Sequence, residues 1–175
     1  GQKIFFCNEG TSSFYHLWIN GQYVGYNQGS KTPAEWDITS FVMPGKNEVS
    51  MEVYRWSAGS YLECQDMWRM SGIERDVYLY CTPQQYIQDY ELTATLDKEH
   101  YSTGIFNLKV QIQSPTFSGK LSYKLLDNYG QTIVSEEQSI TQPLITFAEK
   151  KLPKVATWTA ETPNLYTLIL SLTNE

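Results

Sequence analysis

Two aromatic-rich runs meet across Asn20-Gly21 in FYHLWINGQYVGYNQ, and no other feature narrows the fold as much. A pair of this type between strand-forming runs is the preferred setting of a type I′ hairpin, whose two central residues both need positive φ. Before the turn, Tyr15, Leu17 and Ile19 point one way while Phe14, His16 and Trp18 point the other. Both sets are bulky, so the hairpin is expected to be covered on both faces. His16 lies with the aromatic set. It reads as a packed, hydrogen-bonded histidine, because no paired nucleophile accompanies it.

The flanking segments extend the pattern. KIFFC before the hairpin, and NEVSMEVYRW and DVYLYC after it, read as strands, with Val49, Met51 and Val53 giving the period of two. Between them KTPAEWDITSFVMPGKN carries Pro33, Pro44 and Gly45 and reads as an irregular connection pegged to the sheet by Trp36, Ile38 and Phe41. A boundary is expected at CTPQQ, dividing residues 1–82 from residues 84–175.

Beyond it a second strand series begins. YIQDYELTATL is followed by a run in which Phe106, Leu108, Val110 and Ile112 alternate with Asn107, Lys109, Gln111 and Gln113, the mark of a half-buried antiparallel strand. KLSYKLLD, a turn at Asn128-Tyr129-Gly130, QTIVSEEQ, LITFAEK and NLYTLILSL complete it. About six short strands at this spacing predict an immunoglobulin-type β-sandwich, which ordinarily wants about seven. The predicted class is therefore all-β in both halves, and each half reads as trimmed from something larger.

Composition excludes several functions. The net charge of −6 and the lack of a basic stripe argue against a nucleic-acid partner. No apolar run approaches the ~20 residues needed to cross a bilayer, so no membrane partner is expected. Cys7, Cys64 and Cys81 have no zinc-like spacing, and His16 and His100 are far apart, so the three cysteines read as free thiols filling small apolar volumes. The compartment stays open.

One segment fits neither strand nor ordinary loop: LECQDMWRMSGI, residues 62–73. It combines a central carboxylate, Asp66, with Met67, Trp68, Arg69 and Met70 ahead of a Ser71-Gly72 turn. Taken alone, a loop aspartate is a turn or cap residue that accepts nearby backbone N–H groups. Glu74-Arg75-Asp76 reads as a charge cluster at a strand entrance rather than a second acidic site.

HLWINGQYVGYNQGSKTPAEWDIT and RWSAGSYLECQDMWRMSGIERDVYLY, with WTAETPNLYTLILSL near the end, resemble the β-galactosidases of glycoside hydrolase family 2. The resemblance is densest over residues 14–80 and weaker over 84–150. It implies a partial jelly-roll sugar-binding domain over residues 1–82, then an immunoglobulin-like sandwich over 84–175 that lacks its last strand. A TIM barrel carrying the two catalytic glutamates, held ~5–5.5 Å apart in retaining enzymes, is expected elsewhere in the parent. No catalytic residue is then expected here, and the isolated chain is expected to be inactive.

The same resemblance gives Asp66 a role. It corresponds to an aspartate that reaches into the barrel's pocket, touches the galactose 6-hydroxyl region and helps bind sodium. A carboxylate suits both tasks, being a charged hydrogen-bond acceptor and a hard oxygen ligand. Met67, Trp68 and Met70 would wedge at the domain interface, and Arg69 would pair with a carboxylate or carbonyl of the barrel. Magnesium is implied in the barrel and homo-oligomerisation in the parent; Cys64 stands where the family often has a carboxylate. Alternatives remain open: a free-standing carbohydrate-binding module, a purely structural interaction segment, or another family 2 glycosidase such as a β-glucuronidase or β-mannosidase.

Overall fold

Alternating apolar residues and turn chemistry produce strands almost throughout. The structure, a computed structural model, describes residues 1–63, 65–66 and 68–173. Among these residues the chain is all-β apart from one 3-10 turn, Ala58–Tyr61. It forms two compact units, residues 1–83 and 84–175.

The first unit contains two three-stranded sheets. In one, β1 (Lys3–Asn8) lies between β5 (Ala34–Asp37) and β8 (Val77–Thr82). In the other, β3 (Phe14–Ile19) lies between β4 (Gln22–Asn27) and β6 (Val49–Tyr54). A short ribbon pairs β2 (Thr11–Ser12) with β7 (Gly72–Ile73). The β3–β4 hairpin turns on Asn20 (φ 51°) and Gly21 (φ 75°), the two positive values a type I′ turn requires.

Tyr15, Leu17 and Ile19 are completely buried and meet Phe6 and Ile38 in the core. At roughly 1.5–3 kcal/mol for each large apolar side chain removed from water, this face holds the unit together. Trp36 and Phe41 pack against the same cluster, as expected of pegs. The segment carrying Trp36 is nevertheless a strand: β5 pairs with β1 from Phe5↔Asp37 to Asn8↔Ala34. Pairing with a distant strand overrode its local breakers.

The expected double cover of the hairpin is also corrected. Phe14, His16 and Trp18 are only partly buried. Their neighbours include Tyr23, Tyr26 and Tyr54, which pack on them edgewise or tilted. His16 Nδ1 lies 3.0 Å from Tyr23 Oη.

In the second unit β10 (Gly104–Gln113) pairs along its length with β9 (Tyr86–Leu96). The facing sheet sets β11 (Lys120–Leu126) between β12 (Thr132–Ser139) and β15 (Thr167–Thr173). Phe106, Leu108, Val110 and Ile112 of β10 meet Leu121, Tyr123 and Leu125 of β11 in one buried cluster.

LITFAEK is not a single strand. It splits into β13 (Leu144–Thr146) and the start of β14 (Lys150–Leu152), which pair with different stretches of β10. Phe147, between them, is buried and packs edge-on against Tyr123 at 4.8 Å. The interruption after it makes the count seven among the described residues rather than six. At the entrance to β15, Tyr166 Oη accepts a 2.8 Å hydrogen bond from the backbone N–H of Ala156, a corner typical of immunoglobulin-like sandwiches.

Of the cysteines, Cys7 is buried as expected, whereas Cys81 is exposed, although it pairs with Ile4, a residue packed against the core. Cys64 and Met67 lie outside the described residues.

Candidate functional site

The loop that leaves β6 and returns through β7 carries Asp66, and both of its ends are tied to residues 8–13. Asn8 is buried; its side chain accepts the Gly10 N–H at 3.0 Å and bonds Thr11 Oγ1 at 2.7 Å. On the outgoing side, Ser13 N–H donates to Tyr54 O at 3.2 Å. Ser13 Oγ also bonds Ser57 Oγ, and reaches Ser60 Oγ at 3.0 Å. Ser60 Oγ in turn accepts the Ser57 N–H at 2.9 Å, fixing the start of the 3-10 turn. On the returning side Thr11 and Ser12 pair with Ile73 and Gly72. Gly10 O accepts from the N–H groups of Glu74 and Arg75 at 3.0 and 3.3 Å.

A Cβ at Gly10 would stand 3.1 Å from Arg75 Cδ, so a larger residue there would ask that side chain to give by a few tenths of an ångström. Glu74 forms an ion pair with Lys31, which holds its carboxyl below the usual carboxylate range. The Ser12 hydroxyl adds to that effect, but the contact falls short of hydrogen-bond geometry, and Ser12 Oγ is buried without a well-formed bond. The expected charge cluster at residues 74–76 thus works as a clasp at the loop's base.

At the far side of this base, Asp66 is exposed and adopts φ 58°, a left-handed conformation that aspartate tolerates better than most residues. It accepts no hydrogen bond from the described residues. Trp68, Arg69 and Met70 are exposed beside it. Trp68 (85%) and Met70 (71%) belong to a larger exposed apolar set with Tyr61 (89%) and Leu62 (83%). Four such side chains within ten positions make this loop a candidate interaction surface. Tyr61 and Leu62 were not singled out from the sequence, although their adjacency to the QDMWRM run was visible there.

A carboxylate in this setting can accept hydrogen bonds from hydroxyls and supply one hard oxygen ligand to a cation. Among the described residues no group of three or more His, Cys, Asp or Glu side chains converges on a metal position. A cation held at Asp66 would thus need its other ligands from backbone, solvent or another part of the polypeptide. No partner to it stands in the described loop.

Family comparison agrees with this architecture. Residues 1–83 match the family model "Glycosyl hydrolases family 2, sugar binding domain", and residues 85–175 match "Glycosyl hydrolases family 2". A beta-galactosidase of Priestia megaterium is 41% identical over 181 residues, covering 99% of this chain. One from Oenococcus oeni is 40% identical over 174 residues, covering 93%. The chain spans 17% of the length of each of these curated relatives.

Among solved structures, a Bacteroides uniformis beta-glucuronidase superposes with TM-score 0.86 at 20% identity, covering 99% of this chain and 22% of that one. A putative beta-galactosidase from Bacteroides fragilis gives 0.84 at 19%, covering 100% of this chain and 28% of that one. These likenesses establish the shared fold. With both units matched in order by family models, the chain belongs to glycoside hydrolase family 2.

Proposed function

We propose that this chain is the non-catalytic N-terminal segment of a retaining β-galactosidase, and that it offers Asp66 to a galactoside pocket completed by the catalytic barrel. The observation that carries this reading is the combination at the loop: an exposed carboxylate with no bond to the described residues, on a segment whose two ends are locked to residues 8–13. Relatives at about 40% identity are β-galactosidases, which supports the galactoside over the glucuronide.

On this reading Asp66 accepts hydrogen bonds from the sugar and supplies one ligand to sodium, while magnesium belongs to the barrel. Met67, Trp68 and Met70 pack against that barrel, and Arg69 pairs with one of its carboxylates or carbonyls. The parent enzyme is a homo-oligomer.

The second unit carries a further part of the proposal. An open apolar cleft of about 650 Å³ lies among Leu92, Phe106, Leu125, Trp158, Tyr166 and Leu168. Among the described residues β15 pairs only with β11, leaving its other edge free beside this cleft. One more strand, supplied by the parent, would pair with that edge and fill the space.

A carbohydrate-binding module is the competing reading, and the exposed rings of the β3–β4–β6 sheet are what it would use. Those rings meet at 83°, 50° and 54° for Phe14–His16, Phe14–Tyr26 and His16–Tyr23, so they pack on one another instead of presenting a flat stacking platform. Incubating residues 1–175 with a chromogenic galactoside and titrating galactose against tryptophan fluorescence tests both readings. No turnover above blank and a flat titration are expected. Turnover would overturn the proposal, and saturable binding at millimolar affinity or better would favour the module.

A further inference from the structure

Ser13 lies more than forty positions from Ser57 and Ser60 across the loop's base, yet the three hydroxyls form one connected cluster. Each link ties a different element. The backbone of Ser13 bonds Tyr54 at the end of β6 and receives the Ser30 hydroxyl at 3.4 Å. Its side chain bonds the residue that opens the 3-10 turn and the residue inside it. The turn then passes directly into the Asp66 segment, with the N–H groups of Leu62 and Glu63 both donating to Gly59 O at 2.9 Å. Ser13, Ser30 and Ser60 line one small cavity together with Trp56, Arg69 and Met70. Two members of the serine cluster therefore share a cavity with residues three and four positions beyond Asp66.

Among the described residues the 3-10 turn buries none of its own side chains, and hydrogen bonds tie it to Ser13. A lost hydroxyl link costs little in overall stability, but an error of ~1 Å in a substrate-contacting group can cost about a hundredfold in rate. The cluster is thus placed to affect the site far more than the fold.

We propose that Ser13, Ser57 and Ser60 are positioning residues that fix Asp66 by pinning the 3-10 turn to the junction between β2 and β3. The inference rests on the reading that Asp66 contacts galactoside and sodium. It makes no demand on which other groups complete the pocket.

The test uses the full-length enzyme, with KM for a galactoside and the half-saturating sodium concentration measured for Asp66→Ala, Ser60→Ala, Ser57→Ala and the double variant Asp66→Ala/Ser60→Ala. Ser60→Ala and Ser57→Ala should each shift at least one of the two constants about threefold to thirtyfold, with a melting temperature within a few degrees of wild type. Ser60→Thr, which keeps the hydroxyl, should restore most of the loss. In the Asp66→Ala background Ser60→Ala should add nothing, because residues acting through one group are non-additive. Constants within twofold of wild type for both serine variants, alongside an affected Asp66→Ala, would overturn the positioning role. So would the same loss appearing in both backgrounds. An unaffected Asp66→Ala would instead remove the underlying reading, and the inference with it.

Discussion

Trp36 lays the six-membered ring of its indole over Gly25 so closely that a Cβ on that glycine would stand 2.4 Å from Cζ3. The same indole donates its Nε1–H to the completely buried Tyr15 hydroxyl at 3.1 Å. One side chain therefore joins β5 to both strands of the hairpin. Gly25→Ala should force the ring aside and destabilise the first unit by about 1–3 kcal/mol, the usual range for overpacking. Chemical denaturation followed by tryptophan fluorescence would show the lowered midpoint; an unchanged midpoint would mean that the ring yields freely.

Tyr15→Phe should cost about 1 kcal/mol in the same assay, since it strands the indole N–H beside the core while leaving the packing intact. Burial first, opposed by the Trp36 hydrogen bond, raises the Tyr15 pKa above its ordinary value. The hydroxyl should consequently ionise above the ordinary tyrosine range in an alkaline ultraviolet titration.

In the second unit the carboxylate of Asp97 accepts four backbone N–H groups, from Glu99, His100, Ser102 and Thr103, at 2.7–3.1 Å. These bonds, led by that from His100, hold its carboxyl far below the usual range. A depressed folded-state pKa contributes stability that is present above the unfolded value of about 4 and is lost as pH falls towards the folded value. Asp97→Asn should therefore be less stable than the native chain at pH 7. The gap should narrow steadily below about pH 4 when urea midpoints are compared across pH. A gap independent of pH would contradict the charged-cap account.

Tyr166→Phe tests the corner at the entrance to β15. The Ala156 N–H is exposed and can turn to water, so the loss should be about 0.5–1.5 kcal/mol. Leu108→Ala, in the fully buried face of β10, should cost 2–5 kcal/mol. A larger effect at Tyr166 than at Leu108 would place the unit's stability in the corner instead of the core.

How much of this was legible in advance depended on the range of the interaction. The hairpin could be read because Asn20-Gly21 states its own backbone requirement, and β10 because four apolar residues alternate without interruption. β5 was missed because its strand character comes from β1, nearly thirty positions away. The break between β13 and β14 was missed because no glycine or proline marks it in LITFAEK; Phe147 keeps its N–H bond to Leu108 O while its ring crosses the sandwich to Tyr123. At the site, Asp66 itself was visible only through family resemblance. The serine cluster at the loop's base was invisible, because isolated serines carry no periodicity and their meeting is a product of the closed loop.

The central claim is that Asp66 is presented to a sugar site which another part of the polypeptide completes. It is tested most directly by measuring kcat/KM for a simple galactoside as a function of sodium concentration in the full-length enzyme and its Asp66→Ala variant. The account predicts a fall of tenfold or more in kcat/KM and a flattened sodium response, with the melting temperature nearly unchanged. Identical sodium curves and kcat/KM values for the two proteins would contradict it.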